Sequence, residues 1–437
     1  MKKINLPLPL LLKMLLLPTL NAQFSYTGEI NPLVMTRTSD QSQINLPFRL
    51  LSLDVGYTMG AVDIKTVSSV EHRYDKSESV YDLREVYLAY YPDWGEVRIG
   101  KQIHAWGAAD GNNPTDNLNP YDYYHLFQPG TGRKIGTLSM AAKLYFGNYQ
   151  IEGVFIPKYE ANRMPFGEKD FPLVMPVEPK INYPVDDEYE FGIRIQTTIS
   201  DSDFGLSIFS GNDRTPSVLT ITPQIVQLDS PPIIIPQLGY RTTTVWGLDF
   251  VTFAGDFTIR GEGAIFKTKT PLLKLNLFEI PTNLFEFHQE VVYGQYVLQL
   301  EYTTEADILI SAQLIGSNVM KENYEWYHSL SRELVDFPDG EFKAGMGTPF
   351  AMFADKAILI NSSSVLMDDR LEIKGSAMVN LDETGYMIST SVGYSPWINW
   401  KFELGLLHFI GDKKDEENAF TLLEDFSHLR VGMFYNF

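Results

Sequence analysis

The chain has 437 residues, a formal net charge of −20, 44% hydrophobic and 13% aromatic residues, and no cysteine. An acidic chain lacks the basic surface that phosphate recognition needs, which counts against nucleic acid as a partner. The absence of cysteine excludes a small disulfide-stapled secreted fold and fits a Gram-negative envelope protein that needs no such bridges.

The N-terminus reads as a targeting segment. Lys2 and Lys3 precede an apolar Leu/Pro stretch from Leu6 to Leu20, and Leu20-Asn21-Ala22 offers small-residue cleavage chemistry. Residues 1–22 are therefore expected to be a signal peptide, with the exported chain beginning at Gln23. The alternative, a short membrane anchor, is disfavoured because Lys13 and prolines interrupt a stretch already too short to span a bilayer. Removing Lys2, Lys3 and Lys13 takes the charge from −20 to −23. Beyond this segment no run of about 18 apolar residues occurs, so residues 23–437 hold no predicted transmembrane helix.

From residue 24 onward the pattern is strand, turn, strand. The first four strands are predicted over 24–37, 45–57, 62–73 and 80–91. Further along, Leu138, Met140, Ala142, Leu144 and Phe146 share one face and oppose Ser139, Lys143 and Tyr145. Phe191, Ile193, Ile195 and Ile199 oppose Arg194 and Gln196; Phe257, Ile259 and Ile265 oppose Arg260 and Glu262. Leu298, Leu300 and Tyr302 oppose Gln299 and Glu301, and Leu371, Ile373, Ala377 and Val379 oppose Arg370, Glu372 and Lys374. This period of two marks strands with one apolar face. The 24 tyrosines and 27 phenylalanines suit the aromatic girdles of a membrane barrel.

Connections alternate in length. Short turns fall at 93–95, 147–148, 201–203, 254–256, 304–306 and 395–396. Long connections lie near 104–135, 158–188, 212–240, 270–289, 317–347 and 411–424. Short turns at one end and long loops at the other is the outer-membrane pattern, periplasmic and extracellular respectively. Counting outward from the long loops puts both termini at the periplasmic end and gives about 18 strands, within a range of 16–20. The expected fold is an all-β, transmembrane, antiparallel up-and-down barrel over 23–437, with no plug domain before its first strand. The last strand is predicted over 424–437, with Leu429, Val431, Met433, Tyr435 and Phe437 on one face. This terminal aromatic strand resembles the signal read by the barrel-assembly machinery, with Tyr435 and Phe437 as its candidate residues. That machinery and outer-membrane lipid are the expected partners.

One segment carries more than periodicity: Leu83-Arg84-Glu85-Val86-Tyr87-Leu88, then Arg98-Ile99-Gly100-Lys101-Gln102, Trp106-Gly107, Asn113-Pro114-Thr115-Asp116 and Asn119-Pro120. It resembles the "LREAYL…LRLGRQ…WG…NPTD…NP" signature of porin-like bacterial outer-membrane proteins, which are similar to alginate-export barrels in general architecture. The match lies in the first quarter of the chain, and Lys101 stands where an arginine is usual. The resemblance implies a monomeric passive transport barrel and fixes no substrate. Physically the segment is a hairpin feeding a structured loop. Asp110, Asn112, Asn113 and Asp116 either cap its turns or offer calcium oxygens, though without EF-hand spacing. The loop is also a candidate to fold inward and narrow the lumen, with Trp106 anchoring it to the wall. No metal or cofactor is expected.

The polar faces collect Lys143, Glu152, Arg194, Arg260, Glu262 and Glu301, and later Arg370, Glu372, Lys374, Lys401, Glu403 and Arg430. Such charges either ring a wet pore and set its ion preference, or pair across strands as wall stiffeners. The acidic excess either favours cations or simply solvates the loops. Residues 218–226 with 233–235, and 272–278 with 284–287, are too apolar for free loops. They extend strands as hairpins, fold inward, or meet another membrane protein. The leading function is a channel or passive transporter for a small or medium solute. A plugged structural or adhesive barrel is the alternative. An enzyme is less expected, since His72, His104, His125, His288, His328, His408 and His428 sit in no nucleophile motif.

Overall fold

The computed structural model describes residues 22–171, 179–224, 233–273, 284–329, 331, 333–335, 342–415 and 418–437, so the expected signal peptide lies almost wholly outside them. An all-β sheet of 18 wall strands closes on itself, each strand antiparallel to its neighbours. The first wall strand is in two pieces, Ala22–Ile30 and Leu33–Arg37, and the second is Gln43–Ile44 with Phe48–Met59. Both breaks fall at prolines, Pro32 and Pro47, which have no N–H for a ladder. Next come Val62–Arg73, Glu78–Tyr90, Gly95–Gln102, Thr137–Phe146, Tyr149–Ile156 and Glu190–Ile199. Ser202–Asn212, Thr242–Ala254, Phe257–Lys269, Phe285–Thr303 and Ile308–His328 follow. Lys356–Leu366, Leu371–Asn380, Tyr386–Trp397, Trp400–Ile410 and His428–Asn436 complete the wall.

Closure joins the last strand to the first, with Glu29 opposite Asn436, Ile30 opposite Tyr435 and Leu33 opposite Gly432. The Gly28 N–H donates to the Phe437 carbonyl at 2.9 Å, and the Phe437 N–H returns a 3.0 Å bond. A closed sheet has no edge and leaves no ladder group facing oil.

Register then fixes the faces. Ile193, Ile208, Trp246 and Ile265 stand opposite one another across four strands, all exposed on the outside. One residue further, Arg194, Ser207, Gly247 and Ala264 face inward. At the end bearing the termini the outer face carries aromatic pairs: Trp400 with Tyr435, centroids 4.8 Å apart, and Phe257 with Tyr302 at 5.0 Å. Apolar outside and polar inside is a soluble protein inverted, as hydrocarbon requires.

Some boundaries differ from the sequence reading. Strands Phe285–Thr303 and Ile308–His328 run 19 and 21 residues, so residues 285–289 and 317–328 are strand rather than connection. They stay paired to their far ends, Phe285 opposite His328. Residues 217–224 and 233–239 pair as a hairpin, which joins the tall strands at Thr220–Glu286 and Ile221–Phe285. Residues 218–224, 233–235 and 285–287 are thus strand, whereas Leu272, Leu273 and Leu284 lie outside any strand; 225–226 and 274–278 lie outside the described residues. The final strand starts only at His428. Before it, Ala419–Leu423 is a short helix, because the Asn418 side chain accepts from the Phe420 and Thr421 N–H groups. The turn placed at 395–396 is strand, with Pro396 in a register shift between Tyr394 and Trp397.

The Phe437 ring occupies the space that a side chain on Gly28 would fill. Deleting Phe437 removes that ring and both seam bonds, and is expected to lower the amount of folded barrel in the membrane. The measurement is heat-modifiable gel mobility of membrane fractions; unchanged levels would count against a seam role.

Candidate functional site

The connection after strand Gly95–Gln102 does not leave the barrel. It folds inward, and the residues of the quoted motif fasten it. Glu85 accepts from the Ile103 N–H at the loop's start, 2.8 Å. Arg84 donates to the Thr131 and Lys134 carbonyls at its end, 2.9 and 3.3 Å. Asn119 closes the base from within. Its side-chain oxygen accepts from the His104 N–H at 2.6 Å, and its amide donates to the Gln102 and Ile135 carbonyls at 3.1 and 2.9 Å. This use needs an acceptor and donors on one short side chain, which asparagine has and aspartate lacks.

Residues 106–116 reach the opposite arc of the wall. Trp106 is buried, and its indole N–H donates to Glu152 at 3.0 Å. Its ring sits where a side chain on Gly192 would stand, which explains a glycine in that strand. Gly107, at φ +99°, turns a bare α-carbon to the Glu262 carboxylate. Glu262 is buried and accepts from the Ala108 and Ala109 N–H groups, the Asn113 amide and the Thr115 hydroxyl, at 2.5, 2.6, 2.7 and 2.8 Å. Four donors on one carboxylate replace the water it loses. Gln299 and Gln313 hold the next turn, bonding Asp110 at 2.6–2.8 Å; Asn112 bonds Gln313 at 2.9 Å. Residues 342–355 dock on this loop, where the Thr348 hydroxyl meets Asn112 at 2.9 Å. The four residues considered for calcium are thus engaged separately, Asp116 with Lys134.

A second connection lies against the loop. Arg163 bonds Glu71 and Asp122 at 2.8 and 3.0 Å, and Arg73 holds Glu168 at 2.6 Å. The Arg73 hydrogen bonds keep the Glu168 carboxyl below the usual carboxylate range. Glu71, Asp122 and His125 lie close enough to share a cation, but Arg163 already spans the two carboxylates. His104 meets the Ser139 hydroxyl at 3.0 Å. Ser139 is 1% exposed, and among the described residues the other His104 nitrogen has no hydrogen-bond partner. Burial pushes the His104 imidazole down to about 3.

The inserted loop fills the arc of strands from Tyr149–Ile156 to Ile308–His328. On its other side a cavity of ≈ 1360 Å³ runs from Glu29 and Asn436, at the end bearing the termini, to Phe127 and Phe426 at the loop end. Its charged lining is basic: Arg49, Arg84, Lys374, Lys401 and Arg430 from the wall, with Arg133 and Lys134 from the loop. Glu29, Asp110, Asp116 and Glu403 oppose them. Among the described residues, the lining of the cavity is thus more basic than the chain's net charge of −20.

The residues singled out from sequence divide into groups. Lys143 and Glu152 lie 3.8 Å apart behind Trp106; Arg194 pairs with Asp249 at 2.7 Å. Arg260 faces Glu301 at 3.9 Å and donates to the Ala108 carbonyl. Lys374, Glu372, Lys401, Glu403 and Arg430 form one alternating ladder, with contacts of 2.5–3.6 Å. Arg370 is a correction: it sits exposed in a turn, because Met367, Asp368 and Asp369 take positive φ and end the strand before it. Tyr435 and Phe437 stack on the outer face at the seam, 6.2 Å apart. Sequence reasoning missed Arg49, Arg133 and Gln313, and placed Gln299 on a polar face without a role. Arg84 stood inside the motif without an assigned role, and Asn119-Pro120 was read only as a turn former.

Closed wall, inserted loop and polar passage define a porin-type barrel. No family model matches the chain, and no curated protein matches it. Solved structures do share the fold. OccK8 (OprE) of Pseudomonas aeruginosa matches with TM-score 0.51 and 8% identity, covering 95% of this chain and 98% of that one. OccK2 (OpdF) of the same species gives 0.50 and 9%, covering 95% and 97%. A BenF-like porin from Pseudomonas fluorescens Pf-5 gives 0.50 and 9%, covering 95% and 98%. At such identities the likeness is one of fold.

Replacing Glu262 by Ala strands four donors, each worth about 1.5–3 kcal/mol when paired to a charge. Limited proteolysis within 103–136 should then speed up roughly a hundredfold or more. Because Glu168 titrates below its unfolded value, its ties hold at neutral pH and weaken as pH falls below about 4. Hydrogen exchange around Glu168 should rise in that range, and Glu168→Gln should show the faster exchange already at neutral pH.

Proposed function

We propose that the protein is an outer-membrane channel that passes small solutes passively and favours anions. The observation that carries this reading is the cavity itself, bounded by a fastened inward loop on one side and charged wall on the other. A loop tied at its base and along its body narrows the lumen without plugging it. Fixed charge on a narrow, low-dielectric passage sets the sign of the ions that enter. Here seven basic side chains line it against four carboxylates. The fold neighbours lend support, since they include a BenF-like porin and OccK2 (OpdF) solved in complex with glucuronate. Export through a signal peptide over 1–22 and recognition of Tyr435 and Phe437 by the assembly machinery belong to the same reading. The lumen ladder then serves as the field-setting wall of the route, and Trp106 as the anchor of its constriction.

Planar-bilayer recording of the refolded barrel tests it. Single-channel current should appear, and a salt gradient should give a reversal potential of the sign for chloride selectivity. Lys401→Gln should move that potential toward zero. Cation selectivity would overturn the anion preference. Stable insertion without current would favour the plugged or adhesive barrel.

A further inference from the structure

The outer wall gathers positive charge at one place along the upper margin of its apolar face. The aromatic pair Phe257 and Tyr302 marks the lower margin on strand Phe257–Lys269. Lys267 comes about ten residues later. At a barrel tilt near 40° that is a climb of about 25 Å, the height of the apolar band.

Register fixes the face on which Lys267 lies. It follows the exposed Ile265 by two residues, while Phe266 and Thr268 beside it are buried on the inner face. It stands in one row with Thr244, Val292 and Lys321. Residues directly opposite across a ladder share a face, so Lys321 also points outward. The next row holds Thr242, Lys269, Glu290 and Asn323. Lys267 and Lys321 are two strands apart, about 10 Å, and Lys269 lies about 7 Å beyond Lys267 on the same face. All three lysines are exposed.

Their charge is incompletely answered. Glu290 meets Lys267 at 3.2 Å. The side chains of Lys269 and Lys321 make neither an ion pair nor a hydrogen bond among the described residues. Glu325, further out on the strand of Lys321, accepts from the Tyr327 hydroxyl. With 35 basic residues against 55 acidic ones, such a cluster runs against the composition of the chain. Around the same margin the wall is otherwise aromatic, with Phe155 beside Phe191 and Tyr189 at 5.1 and 6.0 Å.

The height of the cluster says what it meets. Acyl chains lie below it, and the headgroups of the outer leaflet lie beside it. A lysine at this level lays its stem along the apolar surface and holds its ammonium among the headgroups. Ile265 and Trp246, adjacent in register just below, are 45% and 46% exposed and offer acyl chains a surface. A point charge on a flexible stem suits a mobile headgroup better than a rigid fork does.

We propose that Lys267, Lys269 and Lys321 form a binding site on the outer wall for a phosphorylated lipid of the outer leaflet. Its phosphate sits among the three ammonium groups, and its acyl chains lie on the row of Ile265 and Trp246. The site goes beyond the channel reading and does not rest on it, since it needs the barrel in its membrane and not an open lumen.

The test is native mass spectrometry of the detergent-folded barrel titrated with lipid A bearing both phosphates. Lipid A stripped of phosphate and inorganic phosphate are the comparisons. The unaltered barrel should retain the phosphorylated lipid. Lys267→Gln, Lys269→Gln and Lys321→Gln should each weaken retention about fivefold, and the triple variant about a hundredfold. A double variant with Lys413→Gln and Lys414→Gln, in the connection after Ile410, loses two charges elsewhere and should retain the lipid as before. Lys321→Gln alone serves if the triple variant fails to fold. Retention unchanged in the folded triple variant or in Lys321→Gln overturns the site, as does an equal loss in the Lys413 and Lys414 variant. Equal retention of phosphate-free lipid A overturns the charge recognition. Inorganic phosphate bound as tightly as the lipid overturns the lipid assignment.

Discussion

A backbone crossing hydrocarbon can leave no N–H or C=O unpaired, and every other feature of this molecule follows from meeting that demand with a sheet. A sheet satisfies its backbone only by closing. Closure here depends on bringing the last residue of the chain back to Gly28, where a side chain would collide with the Phe437 ring. Once closed, the two-residue period divides the sequence into an outside and an inside. The aliphatic rows across neighbouring strands then need oil, and the arginines and carboxylates behind them need partners or water.

The interior solves its own problem in two ways. On one arc the partners come from the chain itself. The loop after Gln102 turns its backbone N–H groups toward Glu262 and its Asp110 toward two glutamines, so wall polarity is consumed in holding the loop. On the other arc the charges answer one another along a ladder or face the cavity. The division explains why one set of inward residues is structural and another is available to a solute. Glycine seats such as Gly192 belong to the first set, since they leave room for Trp106 and Leu118 against the wall.

Most of the wall was readable from the sequence, because a strand with one face in oil cannot hide its alternation. The strand Val62–Arg73 falls where the pattern puts it. Misplaced ends have local causes. The turn Glu424–Phe426, following the helix capped by Asn418, keeps 424–427 out of the last strand, and positive φ at Met367–Asp369 removes Arg370 from the wall. The tall strands ran on because each supports the other, which is a pairing property rather than a property of either segment. The inward loop was legible as a motif but not as a mechanism. Glu262 and Asn113 are separated by 149 positions, and nothing in either neighbourhood names the other.

The unequal strand lengths have a consequence for approach from outside. Strands of 19 and 21 residues rise about 3.3 Å per residue, so at a barrel tilt near 40° they climb roughly 50 Å, about twice the apolar band. The neighbouring paired residues 217–224 and 233–239 extend the same side. The rim is therefore a parapet on the flank already filled by the inserted loop, and low where the passage lies. A bulky particle arriving from above meets the parapet first, while a small molecule diffusing along the cell surface meets the low side directly.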